Sequence, residues 1–175
     1  VLPYLSATEH LYNFDIPSYD KNMLGRSKHE LFAMVPHEQL DASICADDTF
    51  VVQLDEAIYS RRLPKAYFEH PVVIGSSTPV VPVSLFCDGF WLINEITNAR
   101  ILIAALRKKL CCSCGCRSWC TYLQLFSFLV WSFQAMAEGK FPSCRHDMAP
   151  WHEDGDSARM LMQGRPFKYR CCLLY

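Results

Sequence analysis

Three apolar runs set the pattern of the chain: Val80 to Phe86, Phe90 to Thr97, and Arg100 to Leu106. The first is rich in β-branched residues, has prolines at 79 and 82, and ends on Cys87-Asp88-Gly89. It reads as a buried strand whose tip carries an acid, with the prolines keeping its start out of a central ladder. Only Asn98 and Ala99 separate the second and third runs, the spacing of a tight hairpin. Together the three predict an antiparallel meander with Asp88 at the end of its first strand.

A helical pattern follows from Trp119 to Ala137, with no charge along its length. Thr121, Gln124, Ser127 and Gln134 recur at near-helical spacing and give it one narrow polar stripe. That stripe argues for a helix packed on a sheet and against a membrane span, although the length would just cross a bilayer. Gly139 supplies the stop. Pro142 to Pro166 is loop-like and acidic, with a helical turn expected at Ala158 to Met162, and Phe167 to Tyr175 reads as a further strand.

Upstream, Val1 to Asp20 shows no clear period and is expected to be irregular. Ser27 and Glu30 have the spacing of a capping box, which predicts a short helix through Leu31, Phe32 and Met34. A second helix is expected from Pro36 through Leu40 and Ile44. A third runs from Thr49 to Arg62, capped by Asp47 or Asp48, with Val52, Leu54, Ile58 and Tyr59 as its apolar stripe. Leu63-Pro64 ends it. Tyr67 to Ser77 is a connector in which Val72 to Ile74 is strand-like. The expected organisation is a helical N-terminal region, 1–71, and an α/β (α+β) domain, 72–175, cut short at its C-terminus.

Composition narrows the classes. Hydrophobic residues are 51% and charged residues 20% of the 175, enough for a sizeable core and too apolar for global disorder. A net charge of −1 excludes a chain that is basic throughout, so phosphate contacts must come from a local patch. The chain opens on Val1 and stops within an apolar run, as a fragment would. Its ten cysteines accompany a large aliphatic and aromatic core, which points to a reducing, intracellular compartment and not to a secreted disulfide scaffold.

Three groups of residues can carry chemistry. Asp88 at a strand end is where two-metal phosphoryl transfer would need a hard oxygen ligand for Mg²⁺; the plain alternative is a strand-end Asp-Gly turn. Cys111, Cys112, Cys114, Cys116 and Cys120 precede the long helix, and Cys144 with His146 follows it. Thiolates and an imidazole suit tetrahedral Zn²⁺, either within the first cluster or between Cys-x-Cys and Cys-x-His; the plain alternative is a set of partly buried thiols. Arg107, Lys108 and Lys109, with Arg117 nearby, leave the third strand and would meet phosphates, or solvent. A Cys144–His146 nucleophilic pair is disfavoured, since residues this close in sequence rarely converge as base and nucleophile and no oxyanion-hole motif is visible.

Leu85 to Gly89, Leu106 to Lys109, Cys114 to Cys120 and Arg145 to Asp147 together resemble a group of repeated protist proteins derived from DNA transposons. The resemblance covers about Leu63 to Tyr175. It implies the first half of a ribonuclease H-like, acid-triad transposase core, with Asp88 matching the first acid, Mg²⁺ as cofactor, DNA as partner and a nuclear location. The second and third acids have no counterpart here, and Glu153, Asp154 and Asp156 precede the last strand where neither belongs. The fragment is therefore expected to lack activity and, with an open sheet edge, to self-associate. The rival reading is a non-enzymatic zinc-binding module that presents a protein- or nucleic-acid-binding surface.

Overall fold

The structure, a computed structural model, describes residues 11–20, 25–84 and 119–174. Two nine-residue strands, β1 (Tyr12–Asp20) and β2 (Gly25–Ala33), form an antiparallel hairpin in register from Tyr12↔Ala33 to Asp20↔Gly25. From Tyr12 to Asp20 the expected irregular lead-in is thus a strand, and its first ten residues lie outside those described. Tyr12, Phe14 and Ile16 are buried while Leu11, Asn13 and Asp15 are exposed, a clean two-residue alternation. The expected helix from Ser27 is also a strand: Ser27 and Glu30 lie within β2, and Arg26, Lys28 and Glu30 face outward. Pairing with β1 outweighs a four-residue capping signature, because a cap is worth about 1 kcal/mol and a ladder with a buried face is worth more. The N-terminal lead is accordingly a hairpin followed by helices.

Helices α1 (Pro36–Ala46) and α2 (Asp48–Tyr59) fall where the pattern places them. The Asp47 carboxylate accepts from the Thr49 backbone N–H at 2.9 Å, capping α2. Of the expected α2 stripe, Leu54 is buried and Ile58 half-buried, but Val52 and Tyr59 are exposed. Two single turns follow, α3 (Lys65–Phe68) and α4 (Pro71–Ile74). Val72 to Ile74 is therefore helical, not an edge strand: Pro71 sits in the first turn, where its missing N–H costs nothing, and His70 Nδ1 accepts from Val72 N–H.

Strand β3 (Val80–Val83) opens the predicted first meander strand, and the second and third strands lie outside the described residues. Helix α5 (Trp119–Glu138) matches the uncharged pattern, and Gly139 ends it at φ +75°. No helix among the described residues is long and apolar enough to cross a membrane. A short α6 (Ser157–Met162) and β4 (Arg170–Leu173) complete this mixed α+β arrangement. β4 pairs in parallel with β3, in register from Val80↔Arg170 to Val83↔Leu173.

Packing joins residues from both sides of the expected 71/72 boundary. One cluster sets Tyr12, Phe14 and Ile16 against Phe128, Leu129, Trp131 and Trp151. Another sets Ile44 and Leu54 against Val81, Met136 and Cys171. The parallel pair is covered on both faces, as parallel sheets require: Val81 and Cys171 face the second cluster, while Val80 and Cys172 pack on Tyr67. The Tyr67 hydroxyl donates to the Val80 carbonyl at 2.8 Å.

Candidate functional site

Two places can carry function. The first is the common end of β3 and β4. Parallel pairing brings Val83 beside Leu173, so the chain leaves both strands on one side of the sheet. Asp88 follows Val83 by five positions and lies outside the described residues, as do Arg107, Lys108, Lys109, Arg117, Cys111, Cys112, Cys114 and Cys116. Neither Ser84 nor Leu174, the next residues on, has a carboxylate. Asp41 lies at the opposite end, where its Oδ1 accepts from Lys168 N–H at 3.2 Å; burial raises its pKa. The described residues at this strand end therefore do not fit a two-ion Mg²⁺ site.

The second place is a polar cleft of about 790 Å³ between the hairpin and the loop after α5. Asn13, Asp15, Arg26 and Lys28 line it on one side, and His146 and His152 on the other. The loop wall is held by buried charges. Arg145 Nη1 donates to Asp156 Oδ2 at 2.5 Å, and Nη2 to the Asn13 carbonyl at 2.5 Å. Arg159 reaches Asp156 at 3.2 Å and donates to both oxygens of Glu38, at 2.6 and 2.9 Å, in a bidentate fork. His152 N–H also donates to Asp156. The network ties the loop, α6, α1 and β1 into one unit.

His146 sits against the aromatic rings of Tyr12, Phe14 and Phe128. The Tyr12 hydroxyl accepts from His146 backbone N–H at 3.3 Å and lies 2.6 Å from Nδ1. Burial pushes the Tyr12 phenol up to about 12, so it keeps its proton. Burial also lowers the His146 pKa below its usual 6.5, which favours the neutral ring. The cleft thus sets an imidazole held by Tyr12 among mixed charges, including the surface pair Lys28–Asp15 at 3.6 Å.

Of the zinc candidates, Cys120, Cys144 and His146 are described, and the structure does not gather them. Among the described residues no three His, Cys, Asp or Glu side chains are placed to hold a metal ion. His146 Nδ1 is engaged by Tyr12, and Cys144 lies beside α5, its carbonyl accepting from Trp131 Nε1 at 3.1 Å. Cys120 is in the first turn of α5, and Trp131 is eleven residues on, about 16 Å along the axis. One site shared by Cys120, Cys144 and His146 therefore does not form here. If the purified protein carries zinc, replacing Cys144 by serine or His146 by asparagine should leave its metal content unchanged by elemental analysis. Loss of metal in either variant would contradict the geometry.

The Arg145–Asp156–Arg159–Glu38 network and the Tyr12–His146 pair were not legible in the sequence. Apart from Arg159 and Asp156, three residues apart, their partners are 11 to 134 residues apart, and no spacing rule links those. The one signal was the run Arg145-His146-Asp147, which drew attention for a different chemistry. Asp156, one of the four acids of the loop from Pro142 to Pro166, is spent as the anion between two guanidiniums. Comparison of the chain with protein-family models, with curated proteins and with solved structures returns no match.

Proposed function

We propose that the chain is the opening half of a ribonuclease H-like core, from a protein that cuts and joins DNA, with Asp88 as its strand-end acid. The observation that carries this reading is the parallel pairing of β3 with β4. Parallel neighbours need a crossover, and the connection between these two contains α5, packed on β4 through Met136 and Cys171 and through a 2.8 Å bond from Arg170 Nε to the Ala137 carbonyl. A strand leading to an acid, a crossover helix and a parallel neighbour beside the first strand form the arrangement in which two strand ends can offer ligands to the same ions. Arg107, Lys108, Lys109 and Arg117 are the residues that would meet phosphates.

In such a core Mg²⁺ would polarise the scissile phosphate and activate the attacking hydroxyl. The fit to this chain is incomplete. Asp88 alone provides one carboxylate, and each ion needs near-octahedral oxygen coordination with more than one protein ligand. No catalytic step is therefore assigned to residues 1–175 alone, and they are expected to show no Mg²⁺- or Mn²⁺-dependent nicking of duplex DNA. A polypeptide extended through acidic positions beyond Tyr175 should bind Mn²⁺ by calorimetry, and Asp88→Asn should abolish that binding. Equal binding with Asp88→Asn would reduce Asp88 to a turn residue and remove the reading.

A further inference from the structure

We propose that the cleft between β1 and the loop after α5 is a docking groove for an extended, mixed-charge peptide of a partner protein, which adds to the outer edge of β1 at Asp15. Among the described residues β1 pairs along one edge, with β2. The backbone groups of successive residues in a strand turn to opposite edges. The Asn13 carbonyl turns outward to Arg145, and the Pro17 carbonyl turns outward to Thr121 Oγ1. Asp15, midway between them, therefore turns its N–H and its carbonyl the same way. Pro17 has no N–H to leave unpaired there, which suits a residue on an outer edge. Among the described residues no group bonds the Asp15 backbone on this side. Asn13, Asp15 and Pro17 all line the cleft, across from Arg145 and His146.

Backbone and charge together select the occupant. An outward N–H and carbonyl on one residue match the carbonyl and N–H of one residue in an extended chain, the pairing used in strand addition. Arg145 and Thr121 occupy the neighbouring carbonyls, so the pairing stops at that residue and side chains must supply the rest. The walls carry both signs, with Arg26 and Lys28 set among Asp15, Glu30, Asp147 and Asp154. Four carboxylates oppose a nucleic-acid backbone, whose phosphates require a basic patch. A peptide with both acidic and basic side chains meets both kinds of wall. The buried Arg145–Asp156 pair fixes the loop wall, so the groove is formed before the peptide arrives and less ordering opposes binding. This docking does not depend on any role for Asp88.

Panning a random heptapeptide library on the full chain, followed by calorimetry with the recovered peptides, tests it. Peptides carrying both signs of charge should be recovered. Asp15→Pro removes the outward N–H without touching the bonds to β2, as Pro17 does two residues on, and should weaken binding by about tenfold or more. Asp15→Asn keeps the amide and should stay within about threefold of the wild type. Amide exchange in the wild type gives the same comparison if Asp15→Pro does not fold. The Asp15 amide should exchange freely alone and become protected with peptide, while Phe14 and Ile16, whose amides turn toward β2, stay protected in both states. Recovery of no binding peptide would overturn the proposal, as would an Asp15 amide that peptide leaves unprotected. A loss in Asp15→Asn equal to that in Asp15→Pro would place the contact on the carboxylate and overturn strand addition. Tighter binding of a single-stranded oligothymidylate than of any peptide would assign the cleft to nucleic acid and overturn it equally.

Discussion

Replacing Asp156 by alanine is expected to cost about 3–5 kcal/mol, a large share of the 5–15 kcal/mol that holds a typical domain. Asp156 is 4% exposed, and both guanidiniums it meets are buried, Arg145 at 5% and Arg159 at 9%. Removing the carboxylate takes away the anion that Arg145 and Arg159 share, while Arg145 keeps the Asn13 carbonyl, Arg159 keeps Glu38, and both keep the Tyr12 ring. Two buried cations would then face each other across the missing anion. The loss is that of an uncompensated charge and exceeds the net worth of the intact ion pair. Asp156→Asn keeps the shape and one acceptor but not the charge, so it should recover part of the loss. Asp154→Ala, two residues away and exposed, should change stability by no more than about 0.5 kcal/mol. Urea unfolding of the three variants checks the order. An Asp156→Ala midpoint close to that of Asp154→Ala would mean that the network is not formed.

Acid should destabilise the protein well above the carboxylate range, through His37. This residue opens α1, is 2% exposed, and packs on Trp131, Phe141 and Phe167. Its ring Nδ1 and its backbone N–H both meet Ser132 Oγ at 3.0 Å. Burial, helped by the nearby Arg159 charge, lowers its pKa from 6.5 to about 3. The folded state therefore holds His37 neutral, while the unfolded chain takes up a proton below pH 6.5. Its contribution is present above pH 6.5 and is lost as pH falls toward 3, at about 1.4 kcal/mol per pH unit and about 5 kcal/mol in all. His146, also lowered by burial, adds a slope of the same sign. Asp41, raised by burial, opposes it just above pH 3.8. Thermal midpoints should hold from pH 7.5 to about 6.5 and fall from there to pH 4, and His37→Leu should flatten that fall whatever it does to stability at pH 7.5. An unchanged slope in that variant would exclude His37 as the source.

Local chemistry made parts of this fold readable. The uncharged run from Trp119, closed by Gly139, could only be a long helix, and Asp47 with Pro64 bracketed α2, because caps and breakers act over three or four residues. Tyr12 to Ile16 held a readable alternation too, but five residues of period two are weak without a partner strand. The capping spacing of Ser27 and Glu30 then suggested a helix where β1 imposes a ladder. Val72 to Ile74 is β-branched enough to read as a short edge strand, and Pro71 with the His70 cap, local signals of a helical start, decides it as a turn of helix.

Charge and pairing were settled by the tertiary structure alone. Asp156 sits among acids that look alike in sequence, and only the convergence of Arg145 and Arg159 makes it the buried anion. His146, read from its neighbours as a metal ligand, is turned instead into the aromatic core by a tyrosine 134 residues away. The parallel register of β3 and β4 likewise joins segments almost ninety residues apart, a choice no local pattern encodes. Sequence determines which backbone conformations are cheap and which faces are apolar. Which polar groups share a buried space depends on how those faces meet.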